Sequence, residues 1–129
     1  MDEPRWVSKR AVLALHREQL AEHGGSDGIR DEFLLDSALA KPQNVFAYAS
    51  KPDLIQLAAS YAFGIARNHA FIDGNKRTAL VVSVLFLNRN GWDITLSKAD
   101  EYATFLHLAD GSLSEEELAV WFTRHTVRL

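Results

Sequence analysis

The sequence contains no cysteine, few prolines and no long apolar run. Without cysteine, disulfides and thiolate metal sites are excluded. No apolar stretch approaches the roughly 20 residues that span a bilayer, and the amino-terminal MDEPRWVSKR lacks the apolar segment of a signal peptide. Low-complexity tracts and internal repeats are also missing from the sequence. We therefore expect a cytoplasmic protein with no membrane contact, folded as one domain over residues 1–129.

An excess of positive charge is also lacking, because the formal net charge is −3. A protein that binds nucleic acid mainly through phosphate contacts would be basic, so no direct nucleic-acid partner is expected. Three adjacent glutamates at 115–117 are interpreted as a helix start, since Ser114 and Glu117 have the spacing of a capping box.

Helix start and stop signals divide the amino-terminal half of the chain. Ser8 is expected to cap a first helix that ends at Gly24. Asp31 is expected to cap a second helix that Pro42 stops. Residues 43–50 give no clear pattern, and a third helix is predicted to begin near Asp53, with apolar residues at helical spacing.

The run TALVVSVLFLNRNG allows two interpretations. Its valines favour a strand, but the segment from Asn75 to Asn90 is too long for a typical strand, and Gly91 is a good helix stop. Ser83 is the only polar residue between Ala79 and Leu87, and a helix that is apolar nearly all round is a buried one. The run therefore predicts a central helix packed on several sides.

The carboxy-terminal third is also mainly helical by pattern. GWDITL is expected to be a short extended piece, followed by a fifth helix from Ser97 to Asp110, closed by Gly111. A sixth helix is expected from Ser114 to about Thr126. Because no pair of alternating strands supports a sheet of any size, the predicted fold is an all-α bundle of about six helices around the buried central helix.

The stretch HAFIDGNKRTAL carries the candidate functional residues. Lys76 and Arg77 fall in the first turn of the central helix, where the helix dipole disfavours positive charge. An anion such as a polyphosphate, bound to the exposed backbone N–H groups, would remove this conflict. Gly74 allows close approach of a ligand, and Asn75 either orients the loop or donates to a phosphate oxygen.

Two further residues of this stretch complete a possible catalytic set. Asp73 beside a phosphate site has a role as a ligand of Mg²⁺, and His69 could accept a proton from an attacking hydroxyl. Structural alternatives exist for each residue. His69 could simply end the third helix, Asp73 could be an N-cap, and Lys76 and Arg77 could be solvated surface residues.

The remaining histidines do not form metal-ligand spacings, and we interpret them as surface or helix-end residues: His16, His23, His107 and His125. Other phosphate-binding motifs are missing, because the sequence has no Walker A loop, no GxGxxG and no kinase HRD or DFG.

The stretch resembles the signature of the Fic/Doc (Fido) family, written H-x-F-x-[DN]-[AG]-N-K-R on its Doc branch. The matching positions are His69, Phe71, Asp73, Gly74, Asn75, Lys76 and Arg77. GGSDGIRDEFLLDSALAKPQ is similar to the glycine-rich turn and second helix of Doc-type toxins, and NRNGW after the central helix also resembles the family.

The resemblance implies a compact helical bundle in which the motif cradles the phosphates of a nucleotide. Fic proteins usually transfer AMP to a target hydroxyl, whereas the Doc branch includes a kinase that phosphorylates a threonine of elongation factor Tu and stops translation. By this resemblance His69 is the base, Asp73 holds Mg²⁺, and Phe71 anchors the loop. The phosphates of ATP, the co-substrate, would be bound by Gly74, Asn75, Lys76 and Arg77.

Departures from the AMP-transferring pattern favour the Doc branch. That pattern has an acidic residue, a glycine and an arginine at the places of Ile72, Lys76 and Leu80, whereas Gly74 points weakly towards AMP transfer. The expected function is therefore a toxin kinase that acts on a translation factor. The alternatives are Fic-type AMP transfer and a catalytically inactive Fido-like binding module, against which the intact His69 and Asn75 argue.

An inhibitory helix of the form [ST]-x-x-x-E-[GN], found in many Fic proteins, is not matched. The nearest segment, Ser112 to Glu116, is followed by Glu117. The resemblance then implies that a separate cognate antitoxin restrains the protein, through a Phd-like segment that folds into a surface groove.

Overall fold

The computed structural model describes residues 1–108, 110 and 113–129, which form six helices and a two-stranded sheet. The elements are α1 (Lys9–His23), α2 (Glu32–Tyr48), α3 (Leu54–Asn68), α4 (Asn75–Arg89), β1 (Trp92–Ile94), α5 (Lys98–Leu108), α6 (Glu115–His125) and β2 (Thr126–Arg128). The all-α prediction is confirmed. In the described ranges, no helix is both long and apolar enough to cross a bilayer.

Helix α4 is the central element, as predicted from its nearly continuous apolar sequence. It packs against α3, α1, α5 and β1, and both Phe86 and Val82 are fully buried. The hydroxyl of Ser83 donates to the carbonyl of Leu80 at 2.8 Å, so this buried polar group is satisfied within the helix. Burial on several sides therefore outweighs the local strand preference of the valines.

The predicted helix starts are confirmed at four places. Side-chain oxygens of Ser8, Asp31, Asp53 and Ser114 accept hydrogen bonds from first-turn backbone N–H groups. Glu117 completes the predicted capping box with Ser114. The predicted closure of the fifth helix by residue 111 lies outside the described residues, as does position 112 of the inhibitory-motif segment.

The prediction that Pro42 ends the second helix is wrong. Pro42 is buried inside α2, which continues to Tyr48. A proline in a helix removes one hydrogen bond and costs about 3 kcal/mol. Beyond it, Val45 and Phe46 pack against the core, and burial of such side chains contributes about 1.5–3 kcal/mol each when complete. Tertiary packing therefore offsets the local cost.

The small sheet was only half predicted. GWDITL contains the expected extended piece, β1. The pairing strand β2 was missed: the sixth helix was expected to continue to about Thr126, but α6 ends at His125 and β2 begins at Thr126. The strands are antiparallel, with Trp92 opposite Arg128 and Ile94 opposite Thr126. A guanidinium–indole contact of 5.7 Å joins Arg128 to Trp92. A three-residue strand is too short to give a sequence pattern, so this pairing depends on tertiary contacts.

Candidate active site

The motif loop, residues 69–74, connects the end of α3 to the start of α4. His69 is the C-cap of α3 and adopts the left-handed conformation, with φ 47° and ψ 46°. Gly74 is the N-cap of α4 with φ 78°, a conformation that glycine adopts without a steric penalty. The loop therefore leaves one helix and enters the next through two left-handed residues.

Phe71 and Asn75 fix the shape of this loop. Phe71 is buried, with 1% of its surface exposed. The Asn75 side chain donates from Nδ2 to the carbonyl of Phe71 and accepts at Oδ1 from its N–H, both at 3.0 Å. Both polar ends of the amide are used in this contact. Of the two roles considered for Asn75, its side chain therefore performs the orienting one.

The glycine-rich segment GGSDGIRD lies directly against the motif loop. Ile29 and Phe71 form an isolated antiparallel bridge, and the N–H of Ile72 donates to the carbonyl of Gly28 at 3.0 Å. A side chain at Gly25 would lie 2.8 Å from Oδ2 of Asp73. Gly25 also has φ 125°, a conformation that residues with a side chain rarely adopt, so glycine is favoured at this contact between the two loops.

Arg30 is a contact residue that the sequence did not single out. Its Nε donates to the carbonyl of His69 at 2.7 Å, and its Nη2 donates to the carbonyl of Asn68 at 3.1 Å. These carbonyls belong to the end of α3, where helix acceptors lack intrahelical partners. Arg30 therefore holds the backbone of His69 from the glycine-rich segment, and an arginine in a loop gives no sequence signal for this.

The interpretation of His16 as a surface or helix-end residue is wrong. His16 lies within α1 and is 2% exposed. Its ring stacks on Phe71, with ring centroids 3.8 Å apart and an interplanar angle of 10°. Nε2 is 2.8 Å from the backbone oxygen of Asp73. Chain positions 57 residues apart meet here, which no local pattern could indicate.

Lys76 and Arg77 lie in the first turn of α4, as predicted, and no acidic residue lies in that turn. Lys76 Nζ is 3.6 Å from a carboxylate oxygen of Asp110. Arg77 donates from Nε to the hydroxyl of Tyr102 and stacks over its ring at 4.8 Å. The Tyr102 contact therefore orients the guanidinium through Nε and does not use its two Nη groups.

All six predicted site residues line a single cleft of about 430 Å³. They are His69, Asp73, Gly74, Asn75, Lys76 and Arg77. Leu20, Ile72, Leu106 and Tyr102 add apolar and aromatic walls. Because Gly74 gives no side-chain cap, the N–H groups at the start of α4 lack the partner that the other caps supply. A helix start with such N–H groups and two cations is an anion-binding arrangement.

Asp73 presents an exposed carboxylate at the edge of this cleft. Its Oδ1 accepts from the N–H of Gly74 at 2.8 Å, and its Oδ2 accepts from the N–H of Ser26 at 3.4 Å. The N-cap alternative is wrong, because the N-cap is Gly74. The described residues contain no cluster of three or more carboxylates and histidines. Mg²⁺ commonly uses one or two carboxylates with phosphate oxygens and water, so the residues present fit it.

The site is thus a loop-to-helix cleft in an all-α bundle, lined by a histidine, one carboxylate and two adjacent cations. Comparison with known proteins agrees with this class: the Fic/DOC family matches residues 6–87. The chain belongs to the Fic/DOC family.

Two relatives lie on the Doc side of the family. The chain is 38% identical over 87 residues to "Protein kinase doc" of Escherichia phage P1, a match that covers 67% of this chain and 69% of the relative. It is 46% identical over 69 residues to "Toxin Doc" of Mycolicibacterium smegmatis, with 53% of each chain covered. The second match thus spans about half the length of that relative.

Proposed function

We propose that this protein is the toxin of a toxin–antitoxin pair and that it transfers the γ-phosphate of ATP to a serine or threonine hydroxyl of a translation factor. Elongation factor Tu is the expected acceptor. The observation that carries the proposal is the convergence of His69 with Lys76 and Arg77 on one cleft. The names of the two Doc relatives, one a kinase and one a toxin, support it.

In the proposed reaction, His69 acts as the general base. Its neutral imidazole takes the proton of the acceptor hydroxyl as the hydroxyl oxygen bonds to the γ-phosphorus. The bond from the γ-phosphorus to the bridging oxygen breaks, and ADP leaves with the electron pair. Lys76, Arg77 and the N–H groups at the start of α4 stabilise the negative charge on the phosphates.

Asp73 is the residue proposed to hold Mg²⁺ in this reaction. When bound, Mg²⁺ would neutralise phosphate charge during transfer. Asp73 is suited to this by its exposure and by the two N–H groups that orient its carboxylate. Gly74 beside it leaves room for phosphate oxygens next to the helix start.

Two residues favour phosphoryl transfer over AMP transfer. Ile72 is 55% exposed and has no group that can bind a metal, so Asp73 is left as the acid of the loop. Lys76 adds a compact charge suited to a terminal phosphate. AMP transfer remains the second candidate, because Gly74 corresponds to the residue found in AMP-transferring relatives. An inactive binding module is disfavoured by the intact His69 and Asn75.

Isotope position distinguishes the two reactions. Purified elongation factor Tu should become labelled by γ-labelled ATP and not by α-labelled ATP, in a reaction that requires Mg²⁺. Lys76→Ala should weaken both nucleotide binding and transfer. Label that arrives from the α-position alone, with a mass gain equal to AMP, would contradict the kinase assignment.

A groove between α1, α4 and α5 is the proposed antitoxin site. It measures about 470 Å³, and its apolar surface includes Leu15, Leu80, Val81 and Val84. Arg77 and Tyr102 line both this groove and the phosphate cleft. A Phd-like antitoxin segment folded into the groove would therefore contact the residues that orient the phosphates.

The antitoxin proposal has its own test. A cognate antitoxin should raise the melting temperature of the protein by mass action and relieve growth arrest on co-expression. Val84→Asp, in the groove, should weaken that binding while phosphoryl transfer continues. Harmless expression of the folded protein alone, at levels that arrest growth for related toxins, would count against it.

A further inference from the structure

His16 is a buried histidine to which the proposed reaction gives no role. It is 2% exposed, lies on α1, and touches the motif loop at two points. One contact is the ring stack on Phe71, and the other is the hydrogen bond to the carbonyl of Asp73. Stacking could be provided by any aromatic residue, but the polar contact requires a donor at this position.

The hydrogen bond defines the tautomer of the ring. A backbone carbonyl only accepts, so Nε2 of His16 must carry the proton in the 2.8 Å contact with Asp73. The ring therefore donates to the loop through Nε2.

The peptide between Asp73 and Gly74 connects this bond to the carboxylate of Asp73. A trans peptide is planar, and its carbonyl and N–H point in opposite directions. His16 holds the carbonyl towards α1, so the N–H of Gly74 is directed away from α1. That N–H donates to Oδ1 of Asp73 at 2.8 Å. One peptide plane thus joins the histidine to the orientation of the carboxylate.

We propose that His16 is a positioning residue for the divalent cation: its Nε2–H fixes the Asp73–Gly74 peptide and, through it, the Asp73 carboxylate. The inference rests on the proposed function only in giving Asp73 the metal. Residues that orient a ligand through a hydrogen bond typically change metal affinity by roughly 10–100-fold when they are replaced. His16 acts through the backbone and touches neither nucleotide nor acceptor.

Two substitutions separate the hydrogen bond from the ring stack. His16→Phe keeps an aromatic ring against Phe71 and removes the donor, whereas His16→Gln keeps an N–H donor at similar reach and removes the ring. His107→Phe is the control, because His107 is an exposed residue in the last turn of α5. All three are compared with the wild-type chain.

The binding of Mn²⁺ in the presence of ADP, followed by electron paramagnetic resonance, is the primary measurement. His16→Phe should weaken Mn²⁺ binding by about tenfold or more, with ADP affinity in the absence of metal little changed. His16→Gln should restore most of the loss, and His107→Phe should match wild type. Equal loss in His16→Phe and His16→Gln, or no loss in a folded His16→Phe, would overturn the proposal.

A spectroscopic measurement on the wild-type protein covers the case in which His16→Phe does not fold. Long-range ¹H–¹⁵N correlation spectra should give the Nε2–H tautomer for His16, and a Nδ1–H tautomer would overturn the proposal. Failure of the proposed function looks different: wild type would bind Mn²⁺ with ADP yet transfer no γ-phosphate, and the His16 comparison would still hold. A wild-type protein that binds no Mn²⁺ in the presence of ADP would also overturn the proposed role of His16.

Discussion

Helices α1 and α4 begin with the same pair of adjacent cations, yet the two helix starts differ. Lys9 and Arg10 open α1, Lys76 and Arg77 follow Asn75 in α4, and neither first turn contains an acidic residue. At α1 the protein itself provides the helix cap and the carboxylates that balance the positive charge. Ser8 caps the helix, and Lys9 forms ion pairs with carboxylates on α2, including one of 2.8 Å to Asp36.

At α4 these internal partners are weaker. Gly74 provides no side-chain cap, and the carboxylate nearest to Lys76 in the described residues is that of Asp110, at 3.6 Å and 82% exposed. An exposed pair of this kind contributes little. Adjacent cations at a helix start are therefore not a site by themselves. They indicate a ligand where the fold provides no side-chain cap and only a weak, exposed counter-charge.

The largest expected effect concerns the histidine beside the α4 start. His69→Ala should reduce phosphoryl transfer by about 10²–10⁴-fold, because it removes the proposed general base, and should abolish growth arrest. Nucleotide binding and the melting temperature should remain close to wild type. His107→Ala is the control, and wild-type toxicity from a folded His69→Ala protein would contradict the assignment.

Lys9 and Lys76, which lie in the first turns of the two helices, test the comparison between α1 and α4 directly. Lys76→Ala should weaken ATP affinity by roughly ten- to a hundredfold, since a charge-assisted hydrogen bond contributes about 1.5–3 kcal/mol. Lys9→Ala should leave ATP affinity unchanged, because Lys9 is engaged by Asp36 and Glu32, whose hydrogen bonds raise its pKa. Isothermal titration calorimetry measures both. Equal losses from the two substitutions would remove the distinction between the helix starts.

The N-cap of α1 should give a smaller effect, on stability and not on activity. Ser8→Ala should lower the free energy of unfolding by about 1 kcal/mol, the usual cost of losing a serine N-cap. Phosphoryl transfer should be unchanged, because α1 begins away from the cleft. Chemical denaturation gives the stability, and Ser50→Ala, in the exposed loop after α2, is the control. A change in kcat for Ser8→Ala would show that the α1 start also contributes to the site.

The start of α5 gives the smallest expected effect. Its first turn is acidic, as the helix dipole favours, but burial raises the pKa of Glu101 above its usual 4.5. The folded state therefore holds the proton more tightly, and this contribution to stability is lost as the pH rises through the folded-state pKa. Glu101→Gln should raise the melting temperature at neutral pH and less so at acidic pH. The exposed Glu116→Gln is the control, and a pH-independent gain would contradict the burial argument.

Local chemistry explains why most of the fold was predictable. Helix starts at Ser8, Asp31 and Asp53 follow from short-range hydrogen bonding, which is encoded within a few residues. The central helix followed from length and apolar character. Pro42 was misjudged because its local cost is offset by packing of later residues in α2. β2 was missed because a strand of three residues is too short to show an alternation of apolar and polar side chains.

By itself, the sequence determined the helical bundle and the motif with its six candidate residues, because a helix start, a glycine turn and a charge pair are all local features. Tertiary structure decided that Lys76 has only an exposed counter-charge, Asp110, whereas Lys9 pairs with two carboxylates on α2. It also brought Arg30 to the backbone of His69 and His16 to the carbonyl of Asp73. These contacts join residues 39 and 57 positions apart in the chain. Residues so far apart in sequence come into contact only when the helices pack around the core.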